Sequence, residues 1–181
     1  MGKPSALTKL TGQRTAQSAA PTHIAIIRIL AAPPAHLAHD RARIAHSLGA
    51  NAAVIAELIP EVEHLLGRQK PAPALPPAEA HNRFTLAFQN FVGALATAEA
   101  PLVIFLDDLQ WADVSSLQLL TALLTSAQIH HLLLIGALRG ADSATGQRLA
   151  DTLAGLDAAG VAMERLTLAP LTLNALEQLA E

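Results

Sequence analysis

An uninterrupted apolar run that ends in two carboxylates constrains the fold of this chain more than any other feature. Residues 102–106 read LVIFL, and Asp107 and Asp108 follow them directly. Because the run does not alternate between apolar and polar residues, it is typical of a strand buried on both faces of a parallel sheet. The two acids would then lie at the carboxyl end of that strand, where open α/β sheets bind their ligands.

The segments after this run alternate between helix and strand patterns. In chain order the predicted elements are a helix over residues 115–126, a buried strand over 131–137, a helix over 142–159 ended by Gly160, a third strand over 164–168 and a final helix capped by Thr172. Alternation of this kind predicts right-handed crossovers and a parallel sheet.

The residues before the run predict mainly helices. These are a helix over residues 35–48 closed by Gly49, two short helices within 51–66 divided near Pro60, an extended proline-rich connector over 70–77 and a long helix over 78–98. In the long helix Phe84, Phe88, Phe91 and Leu95 recur on one face, which indicates a core stripe. Residues 22–30 (THIAIIRIL) fit either a strand or a short helix, and residues 1–21 are a weakly structured, polar leader.

Composition narrows the class of protein. The chain is 51% hydrophobic and 15% charged, which favours a packed core over disorder. Its net charge of −3, without a dense stripe of Lys and Arg, argues against nucleic-acid binding. The absence of Cys suits the cytoplasm, and no segment approaches the roughly 20 apolar residues of a membrane span. We expect a cytoplasmic protein with neither nucleic-acid nor membrane partners.

Two adjacent carboxylates at a strand end suit phosphate chemistry. One can hold a phosphate-bound Mg²⁺, which prefers oxygen ligands, and the second can orient or deprotonate an attacking water. Two alternatives remain open from the residues alone. The acids could merely end the strand and cap the helix near Ser115, or one could be the phospho-acceptor of a receiver-like domain. A receiver needs a Lys at the end of a later strand, where this chain has Arg139.

The block LVIFLDDLQWADVSSLQLL, followed by HLLLIGALRGAD and LTLAPLTLNALEQL, resembles the ATPase module of STAND-class signalling NTPases. The match is strongest to the ATPase region of large bacterial proteins that join a serine/threonine kinase to a sensor histidine kinase, and it covers roughly residues 35–181. The resemblance implies an α/β, three-layer P-loop NTPase fold in which helices flank a short parallel sheet. It also implies ATP and Mg²⁺ as ligands, and kinase or sensor domains as partners.

Carried onto this sequence, the resemblance assigns roles to single residues. Asp107 matches the Walker B acid that holds Mg²⁺, and Asp108 matches the acid that polarises the attacking water. Arg139 falls where the family keeps a sensor of the γ-phosphate, and Trp111 is interpreted as a packing residue.

The chain departs from that family at the phosphate-binding loop. A P-loop has the pattern G-x-x-x-x-G-K-[ST], and the candidate here is MGKPSAL, with Lys3 and Ser5 as the phosphate-binding residues. The first Gly and its strand are missing, and Pro4 displaces the hydroxyl and removes a backbone N–H. We therefore expect a leader with a vestigial Gly-Lys over residues 1–21 and a truncated AAA/STAND-like ATPase domain without an intact Walker A over 22–181. The alternative is a degenerate, non-enzymatic scaffold that docks to partner domains.

Overall fold

The computed structural model describes residues 34–138 and 144–169. Their helices and strands are, in chain order, α1 (Pro34–Leu48), α2 (Ala52–Leu58), α3 (Glu61–Leu66), α4 (Pro77–Leu95), β1 (Leu102–Leu106), α5 (Val114–Leu124), β2 (Leu132–Gly136) and α6 (Ala144–Ala158). Single turns of 3-10 helix, Gly49–Asn51 and Leu109–Trp111, follow α1 and β1. The order of the elements up to α6 is the predicted one.

The helix ends fall at glycines and prolines. Gly49 and Gly67 follow α1 and α3 with positive φ of +50° and +80°, which glycine adopts without a side-chain clash. Pro60 directly precedes α3 and Pro77 opens α4, positions where a missing backbone N–H costs no helix hydrogen bond. The predicted pair of short helices, the connector and the long helix are confirmed.

The core is built around α4, which packs against α1, α2 and α5. Phe91 is fully buried, Phe88 is buried, and the ring of Phe84 stacks on Phe88 with 5.8 Å between ring centroids. The other large members of this cluster are Ile44, Leu48, Ile55, Ile59, Val62, Leu65, Val92, Leu95 and Leu123. Leu102 and Leu132 of the two strands pack against the same cluster. The predicted phenylalanine stripe is therefore confirmed as core.

The two strands form a parallel pair. Leu102 lies opposite Leu132, and Leu106 lies opposite Gly136. Helix α5 makes the crossover between the strands, and α6 follows β2 and packs against α5. The predicted α/β class is confirmed in an incomplete form, because the described chain is helix-rich and has a short, two-stranded parallel sheet.

The prediction that both strands are buried on two faces is wrong for the described residues. Ile104 is 5% exposed, whereas its neighbours Val103 and Phe105 on the opposite face are 55% and 56% exposed. The helical core packs against only one face of the pair, so the second face stays open within the described chain.

The predicted third strand is also wrong. Residues 161–169 have no regular structure, and Leu166 and Leu168 are 80% and 91% exposed. These residues are apolar enough to be buried in a sheet. In the part of the chain that the structure describes, however, no strand lies beside them to bury them.

Several predictions lie outside the described residues. They are the leader over residues 1–21, the apolar segment 22–30 and the helix capped by Thr172. Within residues 34–138 and 144–169, no helix combines the length and the apolar character that crossing a membrane requires.

Candidate functional site

The two acids lie in a short turn between two hydrogen bonds to Ala137, the residue that directly follows β2. The Leu106 carbonyl accepts a hydrogen bond from the Ala137 N–H at 2.8 Å, and the Leu109 N–H donates to the Ala137 carbonyl at 2.9 Å. Ala137 therefore ties the chain on both sides of Asp107 and Asp108 to the end of β2. We call residues 107–111 the acidic turn.

Asp108 has the backbone conformation that makes this turn possible. Its φ of 55° and ψ of 40° lie in the left-handed region, which Asp tolerates better than most residues that carry a side chain. The Asp108 N–H donates to Asp107 Oδ1 at 2.9 Å, and the Trp111 N–H donates to the Asp108 carbonyl at 2.9 Å. Uncommon backbone conformations of this kind cluster at functional sites. The turn places both carboxylates at the carboxyl edge of the sheet, as the sequence predicts.

The two carboxylates differ in exposure and in partners. Asp107 is exposed and Asp108 is half-buried. Gln110, which is 8% exposed, donates from Nε2 to Asp108 Oδ1 at 2.9 Å. The site thus combines a carboxylate open to solvent with a second one held from the protein side.

The donor set fits a cation that is shared with phosphate. No group of three or more His, Asp or Glu side chains in the described chain could hold a metal ion. Mg²⁺ in phosphate-binding sites needs only one or two protein carboxylates, because waters and phosphate oxygens complete its coordination. Asp107 at the turn matches this requirement, since its side chain is exposed at the strand end.

Gly136 gives the acidic turn room to close on β2. A Cβ atom placed on Gly136 would lie 2.3 Å from Leu109 Cδ1, far inside van der Waals contact. Leu109 therefore packs over the end of β2 at a place that only glycine leaves open. This contact was not predicted from the sequence, although a glycine at the end of an otherwise apolar strand is a known signal of close approach.

The helix after the turn has its own cap. Asp113 Oδ1 accepts a hydrogen bond from the Ser116 N–H at 2.7 Å at the start of α5. Hydrogen bonds from Ser116 hold the pKa of Asp113 below its ordinary value. The alternative in which Asp107 and Asp108 cap this helix is therefore wrong. An acid directly before a helical segment is the signal that identifies Asp113 as the cap.

The remaining predicted site residues divide into one that is placed and three that are not. Trp111 is 77% exposed on the acidic turn, so its interpretation as a packing residue is wrong within the described chain. Lys3, Ser5 and Arg139 lie outside the described residues. The structure therefore brings together Asp107 and Asp108 and leaves the phosphate-binding assignments as predictions.

The fold and the acidic turn define an α/β protein of the P-loop NTPase type. Residues 5–135 match the AAA ATPase domain family, and because this match spans more than half of the chain, the chain belongs to that family. It is also similar to the hybrid signal transduction histidine kinase G of Dictyostelium discoideum, with 41% identity over 98 residues. That alignment covers 54% of this chain and 3% of the relative's length. No solved structure matches the chain.

Proposed function

We propose that this chain is an ATP-binding switch module of a signal-transduction protein, with nucleotide and Mg²⁺ bound at the carboxyl edge of the sheet. The observation that carries the proposal is the acidic turn, which presents two adjacent carboxylates directly after β1 inside the region that matches the AAA ATPase domain family. The name of the similar histidine kinase supports a signalling context. In this proposal Asp107 and Asp108 form the Walker B pair of a STAND-type module.

Each carboxylate has a role that follows from its surroundings. Asp107, exposed at the strand end, would hold Mg²⁺ directly or through water. When bound, Mg²⁺ neutralises charge on the β- and γ-phosphates. Asp108, half-buried and hydrogen-bonded by Gln110, would accept a proton or a hydrogen bond from the attacking water.

The phosphate contacts are the less complete half of the site. Lys3 and Ser5 would supply the charge and the hydroxyl of a phosphate-binding loop, and Arg139, three residues beyond β2, would contact the γ-phosphate. Pro4 stands between Lys3 and Ser5 and lacks a backbone N–H. Nucleotide binding is therefore the property that defines the proposed function. Hydrolysis of the bound nucleotide is a separate property that needs its own measurement.

A thermal-shift titration of the full chain with Mg·ATP tests the proposal. At about 100 times its Kd, a nucleotide that binds only the native state adds about 2.7 kcal/mol. For a chain of this length that corresponds to a rise of about 5–10 °C in Tm. Asp107→Asn should lose the Mg²⁺-dependent part of the rise, whereas Asp108→Asn should keep most of it and lose turnover.

The matched control is Asp157→Asn, which removes the same charge from an exposed position at the end of α6. It should leave the nucleotide-dependent rise unchanged. A cooperatively melting wild-type chain that shows no shift at millimolar Mg·ATP would contradict ATP binding. A rise that persists in Asp107→Asn, with and without Mg²⁺, would contradict the role of Asp107.

A second candidate function, docking without nucleotide, is favoured by the open face of the sheet. Val103, Phe105, Leu133 and Ile135 are each 44–56% exposed. Their register places Val103 opposite Leu133 and Phe105 opposite Ile135, so the four side chains form one contiguous apolar patch. Contiguous patches of this kind mark interaction surfaces more often than scattered apolar residues do. Kinase or sensor domains, or a partner protein, would cover it.

Substitutions on this face separate docking from nucleotide binding. Phe105→Thr combined with Ile135→Thr keeps β propensity and replaces two of the four apolar side chains of the patch. A scaffold would lose its affinity for purified kinase or sensor domains in this variant and keep it in Asp107→Asn. Leu86→Thr, at a 53% exposed position on α4, controls for the general effect of removing an exposed apolar side chain. Equal binding by the double variant and the wild-type chain would contradict the docking function.

A further inference from the structure

Gln110 is the one buried polar or charged side chain in the described part of the chain. Burial of an amide costs free energy unless its donors and acceptors find hydrogen-bond partners. Its Nε2 donates to Asp108 Oδ1 at 2.9 Å, so the burial is compensated at the site itself.

The backbone around Gln110 fixes where its side chain can point. Leu109 before it is hydrogen-bonded to Ala137, and Trp111 after it is hydrogen-bonded to the Asp108 carbonyl. Helix α6 packs against this turn. Because hydrogen bonds hold the backbone on both sides of Gln110, its amide approaches Asp108 from a fixed backbone position.

The chemistry of an amide suits the support of a base. A Lys or Arg partner would form an ion pair with the carboxylate and offset its negative charge. A neutral amide instead fixes one oxygen and leaves the negative charge in place. A carboxylate that has to orient or deprotonate a water depends on that charge and on a defined direction.

We propose that Gln110 is a positioning residue for Asp108, holding the carboxylate in the orientation that addresses the attacking water of a nucleotide. This inference rests on the proposed function. It differs from a purely structural role because it assigns the amide to turnover rather than to folding or to nucleotide affinity.

The test compares two glutamines that both donate hydrogen bonds. Gln110→Met keeps the length of the side chain and removes the donor. Gln89→Met is the matched control, since half-buried Gln89 donates to the Ala122 carbonyl at 2.7 Å between α4 and α5, away from the acids. For each full-length variant we would measure Tm, the Mg·ATP-induced rise in Tm, and kcat and KM for ATP at a temperature below all transitions.

We expect Gln110→Met to lower kcat at least about tenfold, with KM and the nucleotide-induced rise within about twofold of wild type. Gln89→Met should lower Tm and keep kcat. Gln110→Asn, which retains the amide on a shorter stem, should recover part of kcat. The fluorescence of Trp111, the single tryptophan, gives a second readout: its response to Mg·ATP should change in Gln110→Met and persist in Gln89→Met.

Three outcomes would overturn the inference and can be told apart. A wild-type kcat in Gln110→Met would show that the amide does not position Asp108. Parallel losses of Tm, nucleotide binding and kcat, with no recovery in Gln110→Asn, would show a structural role. If the wild-type chain bound Mg·ATP without hydrolysing it, Asp108 would have no attacking water to orient. The inference would then fail, and the ATP-binding function would stand. Failure of the wild-type chain to bind Mg·ATP would instead overturn the proposed function.

Discussion

Replacing Gly136 with alanine probes the contact that closes the acidic turn on β2. The added Cβ would lie 2.3 Å from Leu109 Cδ1, well below the 3.0 Å at which something must shift. The backbone of Leu109 cannot move away from residue 136, because its N–H is hydrogen-bonded to Ala137. Overpacking of this kind costs about 1–3 kcal/mol. Since the clash involves the tip of one half-buried side chain, we expect the lower part of that range.

The free energy of unfolding should therefore fall by about 1–2 kcal/mol, which corresponds to a decrease of about 2–8 °C in Tm. Urea titration and thermal melts followed by circular dichroism would measure both quantities. Gly155→Ala is the matched control, because Gly155 lies inside α6 with no atom within 4 Å of the new Cβ. That variant should gain about 0.8–1 kcal/mol from helix propensity.

A double-mutant cycle assigns the cost to the intended contact. In a Leu109→Ala background the side-chain tip that clashes is gone, so Gly136→Ala should cost little. The reasoning is refuted if Gly136→Ala is as stable as the wild-type chain. It is also refuted if the loss is the same in both backgrounds, because the cost would then not come from Leu109.

The remaining predictions concern the helix cap and the core. Asp113→Ala should lower Tm by about 2–4 °C through loss of the cap on α5, whereas Asp113→Asn should retain most of it. Because hydrogen bonds lower the pKa of folded Asp113 below 3.8, its contribution is present above that pH and is lost as pH falls through the lowered pKa. The difference in Tm between wild type and Asp113→Ala should therefore close in acid melts. Phe91→Ala, at a fully buried position, should cost about 3–5 kcal/mol, whereas Leu86→Ala on the exposed side of α4 should cost less than about 1 kcal/mol in urea titrations.

Local signals explain what the sequence predicted correctly. The apolar runs that became β1 and β2, the glycines after α1 and α3, and Pro60 and Pro77 act through their own backbone preferences or through nearest neighbours. The position of Asp107 and Asp108 at the end of β1 follows from the same local rule, because the apolar run stops at the first acid. These features need no knowledge of what packs against what.

Features that depend on tertiary partners could not be predicted in this way. The unbroken apolar run of residues 102–106 predicts two covered faces, but the described helices cover only one. The burial of Gln110 and the approach of Leu109 to Gly136 require the turn to fold onto β2 and α6. The family resemblance pointed to the two acids at the end of β1, but it contained no information on the side chains that hold them.

In a module that both binds nucleotide and docks a partner, the two events would be coupled through β2. Ala137, at the end of this strand, makes both hydrogen bonds that fix the acidic turn, and Leu133 and Ile135 of the same strand form half of the exposed apolar patch. A domain that covers the patch would stabilise β2 and, with it, the geometry of the acids. Linkage is reciprocal, so a nucleotide that stabilises the acidic turn would strengthen docking by the same factor. Because both ligands would act on one strand pair, a sheet whose second face is open among the described residues is a suitable element for converting nucleotide binding into a change of partner.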